Sequence, residues 1–419
     1  MPARFLFVVA AVLVSMLLYV DRVCISSARD EITHDLQLTD RQFGWVISSF
    51  ALGYALMQAP MGGLADRFGA RIVLTSIVGL WSAFTGLTGI ASGLRNLMVI
   101  RFLFGVGEAG AYPTIARASY AWIPVSERGV VQGIVFCSGR VGGAFALPLL
   151  PWLIAQLGWR YTFLMLMGIG FVWSLAWWVW YRDDPQHEHR SAADGASDAT
   201  LQEPRVNSAP ASTRPTVGQL ATSSNLWLLM GQYFASNFTF FFCLSWLFPH
   251  LKQTYKLDAV TAGWYSAAPM IAGAIGNVAA GICVDRLFRQ GRWTASRRLP
   301  AMLGFLLSAA GLLAALHQEE PFAAAMCLSV AIFGADMTLS PSWACCIDIG
   351  GAHAGLVSGT MNMAGNVGSF ATGLAFPYLL AWSGTPDTFF YVAAALNLVA
   401  VALWSAIRPD QQLAFDGTP

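Results

Sequence analysis

The sequence predicts an all-α membrane protein with twelve transmembrane helices arranged as two pseudo-symmetric six-helix bundles. Three observations lead there: apolar residues come in blocks near 20 long, charged residues are scarce and mostly lie between the blocks, and the second half of the chain repeats the first. Of 419 residues, 56% are hydrophobic and 11% charged, against roughly a quarter charged in a soluble globular protein. Such a chain has too little polar surface to stay in solution. A helix needs about 20 apolar residues to cross the ~30 Å of bilayer hydrocarbon. Blocks of that size lie at 5–27, 42–64, 70–92, 95–117, 129–152, 159–181, 226–251, 261–283, 298–316, 321–343, 354–381 and 386–407. None alternates in the manner of a transmembrane β-barrel.

The first block follows only Arg4 and runs into further spans with no small-residue cleavage site, so it reads as a retained helix rather than a signal peptide. With the N-terminus in the cytoplasm, fifteen of the 24 Lys and Arg residues fall on the cytoplasmic side, among them Arg67, Arg71, Arg128, Arg182 and the group Arg286, Arg289, Arg292, Arg297 and Arg298. Six fall opposite: Arg29, Arg41, Arg95, Arg160, Lys252 and Lys256. That bias follows the positive-inside rule and sets both termini in the cytoplasm. The net charge of +1 is uninformative about partners, and no basic tract suits nucleic acid. The seven cysteines include no pair with metal or redox spacing; Cys24, Cys137 and Cys283 lie within spans, and adjacent Cys345 and Cys346 read as small apolar residues. No cofactor or metal is implied, since His187-Glu188-His189 sits in a solvated loop without further ligands.

The polar stretch 182–219, rich in Ala, Ser, Asp, Pro and Thr, cannot bury enough apolar surface to fold and reads as a cytoplasmic linker. It separates an N-terminal bundle, 1–181, from a C-terminal bundle, 220–408, with a short cytoplasmic tail at 409–419. Internal register supports the division. Gly44-Trp45, Gly62, Asp66 and Arg67 recur as Gly263-Trp264, Gly281, Asp285 and Arg286, each 219 residues later. Gly133, Gly139, Arg140 and Gly142 of the fifth block fall on Gly359, Gly365, Asn366 and Gly368 of the eleventh with a constant shift of 226. The fourth and tenth blocks align Glu108 with Asp336 and Pro113 with Pro341. Duplicated halves place a site between them near the bilayer midplane, exposed to each side in turn by rocking, which is a transporter's geometry. Gly139 and Gly143, four apart, allow close helix approach, for packing or for sliding.

The run from Gly62 through Asp66, Arg67 and Gly69 to Arg71 resembles the loop signature of the major facilitator superfamily, and its echo at Gly281 to Arg286 extends the likeness over the whole chain. Asp66 is placed to accept from a neighbouring helix N-terminus and from Arg67 or Arg71, latching one gate state; a charged turn that only sets topology is the alternative. Within that superfamily the chain is similar to the anion:cation symporter branch, which includes bacterial sugar-acid/proton symporters and the vesicular glutamate and sialic acid carriers. The residues that carry this are Tyr19-Val20-Asp21-Arg22, Tyr54-Ala55-Leu56-Met57-Gln58, Arg101 with Gly105 to Gly110, Asp348-Ile349-Gly350-Gly351, and the pair Asn362 and Asn366. The resemblance implies the major facilitator fold and a bacterial inner (plasma) membrane location.

Asp21, Arg22, Arg101, Glu108, Arg140 and Asp336 fall inside apolar blocks, where an ionisable side chain costs at least about 2.5 kcal/mol on the insertion scale. Such residues face a bundle interior or wet cavity and mark ion paths, unless they form a static network that pins helices. Arg101 and Glu108, seven apart, project from one face; adjacent Asp21 and Arg22 diverge by about 100° and serve different neighbours. Three arginines balance three carboxylates, so an anion brought among them needs a proton to avoid an unpaired buried charge. On this reading, which the resemblance also implies, Asp21 and Glu108 couple protons. Arg22 and Arg140 grip the substrate through the planar guanidinium fork, Arg101 organises the carboxylates, and Asp336 joins the network through its match to Glu108. Tyr19, Tyr54, Gln58, Trp343, Asn362 and Asn366 supply hydroxyl, amide and ring contacts, or bond across a packing interface. Sugar-acid carriers of this branch tend to have a neutral amide in place of Arg140. Arg140 therefore either meets a second negative group, as in a dicarboxylate or phosphonate, or pairs with Asp336 and never touches substrate.

The expected function is proton-coupled uptake of a small organic anion by alternating access, with the anion, protons and the lipid bilayer as partners, no nucleic acid, and a monomer sufficient. An uncoupled anion facilitator, a dicarboxylate or phosphonate carrier, and a non-transporting membrane receptor are the other readings. Intramembrane catalysis lacks a nucleophile with its base or a metal constellation.

Overall fold

The computed structural model describes residues 3–122, 125–183, 223–350 and 354–411. The linker beyond residue 183, Gly351, the tail from residue 412, and the side-chain positions of Gly62 and Asp66 lie outside the described residues. All regular elements among the described residues are helices, and they give twelve passes. The first span is Ala3–Ser27, and a short helix, Arg29–Asp35, follows it. The second and third spans run on as Asp40–Gly89, interrupted at Gly69, whose φ of 80° only glycine adopts without strain. The fourth span is Leu94–Glu108 with Ala111–Trp122, the fifth Val125–Leu157 and the sixth Trp159–Trp180. In the second half come Ser224–Ser245 with Leu247–Thr254, Ala259–Arg289, Trp293–Ala315, Pro321–Met337 with Leu339–Gly350, Ala354–Ser383 and Asp387–Ala406.

Among the described residues, eight helices are long and apolar enough to span a membrane by themselves. The second, fourth, seventh and eleventh passes are not among them, and they carry Gln58, Arg101 with Glu108, Gln232, and Asn362 with Asn366. Polarity in a lipid-spanning helix is tolerated where it turns toward protein. The fourth and tenth passes break at matching points. Glu108 ends the first segment of one, and Asp336 lies one residue from the end of the other.

The repeat seen in the sequence is also a repeat of packing. Thr39 N-caps the second span in a capping box with Gln42, and Asp258, 219 residues on, N-caps the eighth through Val260 and Thr261. Gly44 lies against Gly373 and Pro377 of the eleventh span, while Gly263 lies against Leu147 and Pro148 of the fifth. Leu147 and Gly373 are themselves 226 apart, so each glycine meets the equivalent point of the opposite half. Cross-half bonds continue at this end: Ser48 Oγ donates to the Phe370 carbonyl at 2.9 Å, Trp45 Nε1 to Tyr378 at 3.2 Å, and Ser26 Oγ to the Leu244 carbonyl at 3.0 Å. The end of the bundle opposite the chain termini is therefore closed by backbone-to-backbone approach.

A side chain at either glycine would have to displace backbone, and overpacking of this kind costs about 1–3 kcal/mol. Gly44→Val or Gly263→Val should shift the protein away from this closed arrangement by roughly tenfold. Spin-label distances across the closed end, measured by pulsed electron paramagnetic resonance, should lengthen; unchanged distances would show that the crossing glycines do not set the seal.

Candidate functional site

The six intramembrane ionisable residues divide into two groups. Arg22 leaves the first span toward the fourth, where its Nε donates to Glu108 Oε2 at 2.8 Å. The Glu108 side chain is 0% exposed and that of Arg22 12%. The Arg22 guanidinium carbon stands 4.7 Å from the Tyr54 ring centroid and 5.3 Å from that of Phe50. Aromatic faces on a desolvated cation add to its hold without neutralising it. Asp21, one residue earlier, points elsewhere, as the 100° offset of neighbours on a helix requires. It is 1% exposed and faces Trp81 and Thr85 of the third span and Arg101 of the fourth. Among the described residues, neither of its carboxylate oxygens makes a hydrogen bond, and neither do Trp81 Nε1 and Arg101 Nε. The Arg101 guanidinium lies over Phe104 at 4.4 Å and Phe50 at 5.3 Å. Asp21, Arg101 and Glu108 are thus almost wholly buried, whereas Arg22 keeps 12% of its side chain exposed.

The second group bridges the halves. Arg140 of the fifth span is clamped by Asp336 of the tenth, Nε to Oδ2 and Nη2 to Oδ1, both at 2.8 Å. Its remaining Nη1 donates to the Tyr19 hydroxyl at 2.7 Å, and its plane lies 3.5 Å from the Phe240 ring centroid. Of the two sequence readings of Arg140, this arrangement is the pairing with Asp336. Tyr19 links the groups: the Arg22 and Arg140 guanidinium carbons lie 5.5 and 5.4 Å from its ring centroid. Gly139 permits that placement by packing its backbone against Tyr19.

Among the amides, Asn362 Nδ2 donates to Gln58 Oε1 at 2.7 Å, joining the eleventh span to the second, and Asn366 Nδ2 donates to the Asn362 carbonyl at 2.9 Å. Trp343 lies within the C-terminal half, where its Nε1 donates to Tyr233 at 3.1 Å. Tyr54 is buried beneath Arg22.

At the loop signature, the residue that caps the third span is Asp183, whose Oδ1 accepts from the Ala70 and Arg71 amides at 2.6 and 3.1 Å. Arg71 donates to the Trp178 carbonyl from Nε and Nη2, and Arg67 lies over the Phe68 ring. The Asp66 latch itself lies outside the described side chains. In the other half, Asp285 and Arg286 are exposed at the end of the eighth span. The ion pair there is Arg297 with Asp348 at 2.8 Å, joined by Trp293 Nε1 at 3.0 Å.

Sequence reasoning also missed a charged cluster at the closed end. Arg29 pairs with Asp30 at 2.7 Å and with Asp40, and Lys252 reaches across the halves to Asp30 at 2.7 Å. Burial pushes the Asp30 carboxyl up, but the Lys252 hydrogen bond and the Lys252 and Arg29 charges outweigh it and hold Asp30 below its ordinary value.

The chain matches the family model described as Major Facilitator Superfamily over residues 11–373. It is 31% identical over 392 residues to a probable sulfoacetate transporter of Cupriavidus necator, covering 93% of this chain and 90% of that protein. It is 30% identical over 395 residues to a probable galactarate/D-glucarate transporter of Escherichia coli, covering 90% and 88%. Among solved structures, a bacterial homologue of the human lysosomal transporter Spinster, inward-facing and unoccupied, superposes with a TM-score of 0.74 at 19% identity, over 97% of this chain and 98% of that one.

A carboxyl held below its ordinary value of 3.8 keeps its ion pair at all pH values above that range and loses it only as pH falls through the depressed value. Label distances across the closed end should therefore stay constant between about pH 5 and 8, and Asp30→Asn should broaden them throughout. A transition near neutral pH in the unmodified protein would contradict this.

Proposed function

The chain belongs to the Major Facilitator Superfamily, and from that premise we propose that it is a proton-coupled symporter that takes up a small organic anion across a bacterial inner membrane. Membership makes it an integral membrane transporter rather than an enzyme. Both termini face the cytoplasm, in keeping with the arginine bias, and one copy contains both halves of the site. The arrangement sealed at the end opposite the termini is then the inward-facing one.

The observation that carries the reading is the buried Arg22–Glu108 pair at 2.8 Å. Glu108 holds Arg22 through Nε alone, and Nη2 is without a hydrogen bond among the described residues; an anion that grips the guanidinium draws it away from Glu108. Left ionised and unpaired, a buried carboxylate costs several kcal/mol, roughly 3–5 when a pair is broken. A proton on Glu108 removes that cost, so binding of anion and proton become one event. Asp21, desolvated and facing Arg101, relays or holds the proton behind it. The relatives named for sulfoacetate and for galactarate/D-glucarate support an organic anion as cargo. Gln58, Asn362 and Asn366 give polar contacts suited to a hydroxylated or otherwise small acid.

Glu108→Gln should abolish concentrative uptake driven by an inward proton gradient in proteoliposomes, by at least about tenfold, while anion counterflow persists. Arg22→Lys loses the planar fork and should raise KM by about 10–100-fold, the worth of roughly 1.5–3 kcal/mol in a charged hydrogen bond. If Glu108→Gln concentrates substrate as well as the unmodified protein, the coupling role is wrong. Flux indifferent to the pH gradient in the unmodified protein would make it an uncoupled facilitator.

A further inference from the structure

The Arg140–Asp336 pair has no part in the coupling scheme above, yet it is the most completely satisfied ion pair in the bundle interior. Its geometry is two parallel bonds of 2.8 Å, the fork-to-fork match that a carboxylate or sulfonate ligand makes with arginine. It ties the fifth span to the tenth, across the boundary that alternating access must shear. The cation is also aimed in advance by the Tyr19 hydroxyl at 2.7 Å and by the Phe240 ring. Arg22 and Arg140 both lie within 5.5 Å of the Tyr19 ring centroid. Two guanidinium groups thus lie about one tyrosine, Arg140 held by both oxygens of Asp336 and Arg22 by one oxygen of Glu108 at Nε.

We propose that the substrate is a short dianion that bridges Arg22 and Arg140, displacing Glu108 from the first and Asp336 from the second, and that Asp336 takes up a second proton as it is displaced. The proposal rests on the symport reading and deepens it. Asp21, Glu108 and Asp336 balance Arg22, Arg101 and Arg140. A dianion adds two negative charges, and two protons restore neutrality. The groups around Asp336 leave it no other compensation among the described residues. Arg140 faces it from the fifth span, with Tyr19 of the first span beyond. Cys243 of the seventh is within electrostatic reach. Gly273 of the eighth packs on its carboxylate, and the nearby Ser236–Thr338 bond is between neutral hydroxyls. Once Arg140 turns to the substrate, the proton is the available neutraliser. Release of Asp336 also frees the fifth span from the tenth, so the dianion and its second proton together unlock the halves.

The test uses purified full-length protein in proteoliposomes, with sulfoacetate as the dianion probe, gluconate as the monoanion probe, and proton-to-substrate ratios read from the pH gradient that just cancels net flux of labelled substrate down a fixed substrate gradient, with the membrane potential held at zero. The unmodified protein should move two protons per dianion and prefer it to the monoanion. Asp336→Asn should reduce the ratio for the dianion to one. Arg140→Gln should lower the dianion-over-monoanion preference in kcat/KM at least tenfold. Because each single variant leaves a buried partner unpaired and can fail to fold, the double variant Arg140→Gln/Asp336→Asn is the safeguard: it is neutral at that position and should move one proton per substrate with no dianion preference. Two protons per dianion in Asp336→Asn or in the double variant, or an intact preference in Arg140→Gln, overturns the proposal. Coupled uptake of gluconate with one proton and no preference for sulfoacetate overturns it while leaving the symport reading standing; failure to concentrate either probe overturns both.

Discussion

Everything in this bundle answers to electrical neutrality in a medium that solvates charge poorly. Arg22 is matched by Glu108 and Arg140 by Asp336, and Arg101 is held by ring faces with Asp21 in electrostatic reach. Buried ion pairs add little to stability, because desolvation offsets most of their attraction, but breaking one by removing a partner is costly. An incoming anion cannot simply be added to such a set. It inherits a guanidinium and leaves a carboxylate behind, and a proton is the one cation that can settle on that carboxylate without needing space or a hydration shell. On the symport reading proposed above, coupling of anion to proton follows from how the charges are packed.

The second constraint is that two halves built on one plan must seal and part. The seal obeys the internal symmetry closely: capping residues Thr39 and Asp258, crossing glycines Gly44 and Gly263, and their targets Gly373 and Leu147 keep the sequence shifts of 219 and 226. The charged centre departs from it. Arg140 stands where the other half has Asn366, and of the six ionisable residues inside the apolar blocks only Asp336 belongs to the C-terminal half. The N-terminal half thus carries most of the central charge, joined to the other by the Arg140–Asp336 clamp. Symmetric packing suits motion, since equivalent surfaces can exchange roles between the two facing states, while an asymmetric centre gives the site a direction and a chemistry.

What the sequence disclosed follows from which quantities are one-dimensional. Span positions depend on runs of apolar residues, and the repeat on register, so both were legible, as was the need for Asp21 and Arg22 to serve different neighbours. The azimuth of each helix about its axis is set by all its neighbours together. That is why six charges in apolar blocks could be expected to face protein while their partners could not be named: Arg22 goes to Glu108, Asp21 faces Arg101, and Arg140 crosses to Asp336. Partners that come from short connections were missed for another reason. Asp183 follows directly after the sixth span and Asp30 directly after the first, so both read as ordinary loop charges. Only the fold brings one to the Ala70 amide and the other to Lys252.

A carrier must also let go, and the paired arginines bear on that. If a ligand carboxylate or sulfonate replaces Asp336 on Arg140, one bidentate charged pair is exchanged for another of the same geometry, and the net free energy is a small difference between like quantities. The cation itself needs little reorganisation, because the Tyr19 hydroxyl and the Phe240 ring hold it in place independently of which anion occupies the fork; preorganisation of this kind spares the ligand the cost of ordering the site. The well in which the substrate sits is consequently shallow even though each contact within it is strong. On the dianion proposal, specificity resides in whether a ligand can satisfy both guanidinium groups about Tyr19 at once, while release requires only that a displaced carboxylate lose its proton and reclaim its arginine.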